Sequence, residues 1–162
     1  MTEYRIGQGS DLHILVENRD FILGGVKIPH TKGFKAHSDG DVLIHAIIDA
    51  LFGALCLEDI GAHFPDNDPK YKNADSTILL KEAVSIIRSL GWEINNLDST
   101  IHAEAPKLRP HINAIRTKLS EILNIEKDKI SVKAKTSESV DAVGERLAVR
   151  TDCAVLLFKE TN

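Results

Sequence analysis

A chain of 162 residues, of which 43% are hydrophobic and 27% charged, has the size and composition of one soluble globular domain. The formal net charge of −4 excludes a broad basic surface for nucleic acid. The first residues contain no apolar signal segment, and no apolar run is long enough to cross a membrane. We therefore expect an intracellular protein with one domain over residues 1–162.

The two cysteines, Cys56 and Cys153, lie far apart and lack the CxxC spacing of metal and redox sites. A chain of this length can bury a sufficient core without cross-links. We interpret both cysteines as reduced and largely buried thiols, which is the usual state in the cytosol.

Short strands separated by turns are predicted for the first forty residues. Residues 4–6 and 12–16 give two candidates. Residues 21–23 and 26–28 flank the pair Gly24-Gly25, which is typical of a hairpin turn. This part of the chain is therefore predicted to be β structure.

A helix is predicted over residues 41–55, because apolar residues cover most of its circumference. Asp41, His45 and Asp49 recur every four residues and form its one polar stripe. The stripe could face solvent. However, the stripe contains no Lys, Arg or Glu. A stripe made of Asp and His alone is more typical of residues that line a binding site.

The remaining pattern alternates helices and strands. Helices are predicted over residues 76–90 and 106–123, and strands over 94–103, 130–136 and 147–158. The order β-β-β-α-α-β-α-β-β predicts an α/β sandwich, in which helices pack on one face of a mixed sheet.

Asp11, His13 and His45 form a candidate metal site. Residues two apart in a strand point to the same side, so Asp11 and His13 can reach one ion together. His45 from the helical stripe is well placed to be the third ligand. One carboxylate and two imidazoles are typical of a zinc ion with an open fourth position, which indicates a catalytic or substrate-binding metal.

Several motifs occur in a fixed order along the chain. They are GQGSDLH at 7–13, GGVKIP at 24–29, AHSDGD at 36–41 before His45, DIG at 59–61 with FPDNDP at 64–69, APK at 105–107 before Pro110-His111, and VKA at 132–134 before Thr136 and Glu138. Together they resemble the 2-C-methyl-D-erythritol 2,4-cyclodiphosphate synthase family.

The resemblance implies a lyase of the non-mevalonate isoprenoid pathway. In this reaction the 2-phosphate of 4-diphosphocytidyl-2-C-methyl-D-erythritol 2-phosphate attacks the β-phosphorus. CMP leaves, and 2-C-methyl-D-erythritol 2,4-cyclodiphosphate is formed. The resemblance also implies a homotrimer with active sites between subunits, in the cytoplasm or in a plastid-type stroma.

The resemblance further implies residue roles. Zinc, or another divalent cation, would be held by Asp11, His13 and His45, and Glu138 would hold magnesium or manganese with the diphosphate. His37 and Thr136 would assist the transition state. The substrate-binding residues implied are Asp11, His13, His37, Ser38, Asp59, Gly61, Phe64, Asp66, Asp68, Ala103, Ala105, Pro106, Lys107, Leu108, Arg109, Lys135, Thr136, Ser137 and Glu138.

Simpler interpretations exist for some of these residues. Pro106 and Lys107 fit the first turn of a helix, whose free N–H groups also suit a phosphate. Asp66 and Asp68 are common turn formers. Residues 136–138 could be a capping box for a following turn.

The chain departs from the family pattern at Gln8 and Ser10 and over residues 140–148. In the family, the last segment borders a central channel reported to hold isoprenoid diphosphates, and that property is not carried over here. Two alternative functions stay open. One is a zinc hydrolase that activates water. The other is a metal- or nucleotide-binding trimer without turnover.

Overall fold

The computed structural model describes residues 1–65 and 67–161 as a five-stranded mixed sheet, a separate hairpin and a layer of helices. The strands are β1 Thr2–Glu17, β2 Phe21–Leu23, β3 Val26–Ile28, β4 Lys32–Phe34, β5 Glu93–His102, β6 Ile130–Lys135 and β7 Ala148–Glu160. The helices are α1 Val42–Ala54, α2 Ile60–His63, α3 Ser76–Ser89, α4 Ile112–Leu123 and α5 Asp141–Gly144. The predicted α/β class with a mixed sheet is confirmed.

The sheet has the strand order β4-β1-β7-β5-β6. The β5–β6 pair is parallel, whereas β1–β4, β1–β7 and β5–β7 are antiparallel. Strands β2 and β3 form the predicted hairpin around Gly24-Gly25. The central strands β1 and β7 therefore carry the surface on which α1 packs.

Strand β1 is one continuous strand of 16 residues, so the prediction of two short strands was wrong. Gly7 and Gly9 lie between the two predicted strands and do not interrupt β1. Instead they let α1 approach closely, because an added Cβ would lie 1.9 Å from Ala50 O at Gly7 and 2.1 Å from Ala46 O at Gly9. Glycine in a strand often marks such a close backbone approach.

The core lies between the sheet and the helices, and α1 runs through its centre. Apolar side chains of α1 such as Ile44, Ile47 and Leu51 are fully buried. No helix of the described part of the chain covers the opposite face of β1. Its exposed apolar side chains are Tyr4, Ile6, Leu12 and Ile14. Helices thus pack on one face of the sheet, as predicted.

Helix α4 begins at Ile112, not at residue 106 as predicted. A 3₁₀ turn over Arg109–His111 precedes it. Pro110 lacks an N–H and would clash with the preceding turn inside an α-helix, so the helix begins after it. Pro106 and Lys107 are consequently not in the first turn of α4.

The sequence prediction also missed β4, α2 and α5, each of which is only three or four residues long.

The two cysteines are free thiols with different exposure. Cys153 is buried in β7, as expected, but Cys56 is exposed, so the prediction for Cys56 was wrong. Cys56 follows the end of α1 and has a positive φ of 57°. Burial and the negative charge of Asp98 raise the pKa of the Cys153 thiol to about 12.

Among the described helices, none has the length and apolarity that a bilayer crossing needs.

Candidate active site

Asp11, His13 and His45 meet at one point between β1 and α1. Each offers one ligand atom, and these atoms lie within 4.8 Å of one another. Asp11 Oδ2 is 3.0 Å from His13 Nδ1 and 3.1 Å from His45 Nδ1. Within the described chain, the buried His13 Nδ1 has no hydrogen-bond partner despite its closeness to that oxygen. One oxygen and two ring nitrogens converging in this way fit a divalent cation such as zinc.

The charge of Asp11 is stabilised by its neighbours. Burial acts to raise the pKa of Asp11. The ring nitrogens of His13 and His45, which lie within 3.1 Å of its carboxylate, outweigh this effect and lower the pKa of Asp11 to about 2. Asp11 is therefore a carboxylate at neutral pH, which is the form that binds a metal ion.

Strand alternation and helix register explain how the site is assembled. Asp11 and His13 follow Gly9 on the helix-facing side of β1. His45 is buried in the first turns of α1. Hence Gly9, which sets the distance between β1 and α1, also sets the distance between the two sets of candidate ligands.

Only one member of the polar stripe of α1 contacts this cluster. Asp41 is fully buried and caps α1: its Oδ1 accepts from Ile44 N and Gly24 N, at 3.0 Å each. Asp49 Oδ1 instead accepts a hydrogen bond of 2.7 Å from Ile60 N. The interpretation of the whole stripe as a site lining was therefore wrong for Asp41 and Asp49, which have structural roles.

A cavity of about 450 Å³ adjoins the cluster. Besides the three candidate ligands, its lining includes His37, Ser38, Gly61 and Phe64 among the residues predicted to bind substrate. His37 Nε2 is buried, and no described group forms a hydrogen bond with it. Buried polar groups are normally paired, so we expect a bound molecule to supply the partner of this nitrogen.

Arg19 fixes the loop that carries His37 and Ser38. Its guanidinium donates to Phe34 O at 3.1 Å, to Ser38 O at 2.7 Å and to Ala36 O at 3.5 Å. Hydrogen bonds from a charged donor are stronger than neutral ones. Arg19 thus holds three backbone carbonyls of this segment in place.

A second cavity of about 1160 Å³ lies between the segment after β5 and the end of β6. Its lining includes these predicted residues: Ala103, Pro106, Lys107, Leu108, Arg109, Lys135 and Thr136. Glu104 also lines it and accepts a hydrogen bond of 3.1 Å from Ser137 N. Five of its lining side chains are basic, which suits a ligand that carries phosphate: Lys107, Arg109, Arg116, Lys133 and Lys135.

The linings of these two cavities do not include every predicted residue. Five predicted residues that the structure describes line neither cavity: Asp59, Asp68, Ala105, Ser137 and Glu138. Asp59 caps α2 by accepting from Ala62 N, and Asp68 accepts from Lys70 N. Glu138 accepts a hydrogen bond of 2.6 Å from Thr136 Oγ1. Asp66 lies outside the described residues.

Three residues that support the cavities were not predicted from the sequence. Arg19 and Glu104 hold loops of the first and second cavity, respectively, and Ser76 contacts His45. Asp75 caps α3 by accepting a hydrogen bond from Thr77 N, so Ser76 is free for this contact. No periodic signal distinguishes these residues, because each acts through a contact distant in sequence.

The fold and the site define an α/β protein with a candidate Asp–His–His cation site. The model of the YgbB family matches residues 4–158. The 2-C-methyl-D-erythritol 2,4-cyclodiphosphate synthase of Nostoc punctiforme is 50% identical over 160 residues, covering 99% of this chain and 100% of the relative. The chain therefore belongs to the YgbB family, and its function is that of a cyclodiphosphate synthase, a lyase of isoprenoid biosynthesis.

Two solved structures are similar over nearly the whole chain. The bifunctional IspDF from Campylobacter jejuni has a TM-score of 0.95 and 40% identity over 99% of this chain, which spans 43% of that longer protein. The CDP complex of IspF from Plasmodium falciparum has a TM-score of 0.85 and 37% identity, covering 98% of this chain and 97% of that one.

Proposed function

We propose that Asp11, His13 and His45 hold a zinc ion that assists cyclisation of 4-diphosphocytidyl-2-C-methyl-D-erythritol 2-phosphate. The convergence of one carboxylate oxygen and two imidazole nitrogens beside a cavity is the observation that carries this proposal. When bound, the ion would supply positive charge to a phosphate oxygen and so polarise the phosphorus. The attacking 2-phosphate needs no side-chain base, because its second pKa is near ~6 and it is already charged at neutral pH.

The residues of the chain then have to orient the substrate and offset its negative charge. We assign Ser38, Gly61 and Phe64 to the methylerythritol end, since they line the cavity beside the ligand cluster. Asp59, Asp66 and Asp68 are assigned to the same end on motif position alone.

We assign the second cavity to the cytidine diphosphate end of the substrate. Its basic side chains and its size support this assignment, as does the CDP in the Plasmodium falciparum complex. Glu138 is proposed to hold magnesium or manganese with the diphosphate, which the adjacent Ser137 would also contact. Ala105 is assigned to the cytidine end with the rest of the segment 103–109. The side chain of Glu138 is exposed, and its hydrogen bond from Thr136 uses only Oε1, so Oε2 is free for such an ion.

We further propose that residues 1–162 form one domain that assembles as a homotrimer with active sites between subunits. Within one chain, the two cavities share no lining residue. His37 lines one of them and Thr136 lines the other, so a substrate that both residues assist must contact both linings. A site between two subunits would bring the two linings together. The uncovered apolar face of β1, with Ile6 75% exposed, supports burial against another subunit. The cytoplasmic or plastid location stays a prediction that cell fractionation can check.

The trimer proposal predicts a sedimenting mass about three times the chain mass of 17.9 kDa. Ile6→Glu should dissociate the assembly, because it places a charge on the apolar sheet face. Ile78→Glu is the matched control, since Ile78 is 59% exposed on α3, away from that face. A monomeric wild-type chain, or an unchanged mass for Ile6→Glu, contradicts the proposal.

His37→Ala and Thr136→Ala are each expected to lower turnover by about 10²-fold or more, because each removes a group that touches the reacting phosphates. Zinc content should not change, since neither side chain is a proposed ligand. Steady-state kinetics and metal analysis measure the two effects.

His30→Ala and Thr117→Ala are matched controls, because both side chains are exposed and line neither cavity. Near-normal turnover of the His37 or Thr136 variant would remove that residue from the proposed catalytic machinery.

A further inference from the structure

A chain of hydrogen bonds leads from His45 to the start of α3. His45 Nδ1 faces Asp11, and Nε2 on the other side of the ring lies 2.9 Å from Ser76 Oγ. Ser76 Oγ lies 2.5 Å from Asp39 Oδ1. Ser38 Oγ is a more distant neighbour of Nε2, at 3.4 Å, and already accepts a hydrogen bond from Gly40 N.

The number of available protons fixes the direction of these hydrogen bonds. The Asp39 carboxylate can only accept, so the single hydroxyl proton of Ser76 is donated to it. Ser76 Oγ therefore accepts, and the donor is the Nε2–H of His45. This assignment follows from the hydrogen-bond network and leaves the Nδ1 side of the ring for a metal ion.

Asp39 is itself held in place by the backbone. Asp39 Oδ1 accepts from Asp41 N at 3.1 Å, and Oδ2 accepts from Ser76 N at 3.0 Å. Ser76 is fully buried, so water does not compete for its hydroxyl. The result is a rigid contact between the loop before α1, the first residue of α3 and the ring of His45.

We propose that Ser76, held by Asp39, is a positioning residue that orients the imidazole of His45 and keeps its Nε2 protonated, so that Nδ1 is the metal-binding atom. This inference rests on the proposed cation site at Asp11, His13 and His45. Partners that bind the second nitrogen of a ligating histidine fix its tautomer and ring orientation, and their loss typically costs 10- to 100-fold in metal affinity.

The test compares zinc affinities by chelator competition in full-length wild type, Ser76→Ala and Ser85→Ala. Ser85 is exposed on the same helix and is the matched control. Ser76→Ala should raise the zinc dissociation constant roughly 10- to 100-fold, whereas Ser85→Ala should leave it unchanged. A Ser76→Ala value within threefold of wild type overturns the proposal.

A second measurement uses only the wild type, so it tests the proposed role of Ser76 even if Ser76→Ala does not fold. In zinc-loaded wild type, ring ¹⁵N shifts should show a metal-bound Nδ1, and the Nε2–H should exchange slowly with water and lie near the Ser76 β protons. Zinc on Nε2 would overturn the proposal. If the wild type takes up no zinc at all, the proposed cation site fails instead, so the two failures are distinguishable.

Discussion

Asp11→Asn is expected to abolish tight zinc binding and to lower turnover by about 10²- to 10³-fold. Asp11 Oδ2 lies within 3.1 Å of one ring nitrogen of each histidine, so it is the shared centre of the cluster. The substitution keeps the shape but removes the negative charge and turns one oxygen into an N–H donor. Zinc titration and steady-state kinetics on the same preparation measure both effects.

Asp128→Asn is a matched control, because Asp128 is an exposed residue of a 3₁₀ turn. It should behave like the wild type in both assays. Wild-type zinc affinity and turnover in Asp11→Asn would contradict a metal site at this cluster. Retained affinity with lost turnover would instead limit Asp11 to a role in orienting the substrate.

Gly9→Ala is expected to lower the free energy of unfolding by about 3 kcal/mol or more, at the upper end for an overpacked core. The added Cβ would lie 2.1 Å from Ala46 O and 2.6 Å from Ala50 N. Both atoms are backbone of α1, so the clash cannot be relieved by a rotamer change. Zinc affinity should fall as well, because α1 carries His45 and β1 carries Asp11.

Gly53→Ala provides the control in α1 itself. There, an added Cβ meets only Gln8 O at 3.6 Å, which is an ordinary contact. Alanine is favoured over glycine in a helix by up to about 1 kcal/mol, so this variant should be as stable as the wild type or more so. Denaturant unfolding of both variants measures the difference. A Gly9→Ala variant as stable as Gly53→Ala would contradict the close packing of α1 on β1.

Elements with a strong local pattern could be predicted from the sequence. In the strand predicted over residues 94–103, the alternating residues Leu97, Ser99 and Ile101 should share one face, and all three are buried in β5. The prediction of separate strands over residues 4–6 and 12–16 was wrong, because Gly7 and Gly9 continue the strand between them. Their actual role depends on a helix that is about forty residues away in sequence.

The candidate site could be predicted only in part, because local patterns show which residues share a face but not what that face packs against. Spacing predicted that Asp11 and His13 share a side of one strand, and the clustering with His45 is confirmed. Helical periodicity showed which residues share the face of His45, but not what that face packs against. Asp41 binds the hairpin and Asp49 binds the start of α2, so tertiary contacts decided their roles.

Phosphorus NMR of the wild-type reaction in ¹⁸O-labelled water tests most directly whether the cluster assists cyclisation rather than activating water. We predict CMP and 2-C-methyl-D-erythritol 2,4-cyclodiphosphate without incorporated ¹⁸O, loss of the reaction after chelation, and recovery when zinc is added back. A linear methylerythritol bisphosphate carrying ¹⁸O would contradict the account and indicate a hydrolase. Turnover that continues unchanged in metal-free protein would contradict the role given to Asp11, His13 and His45.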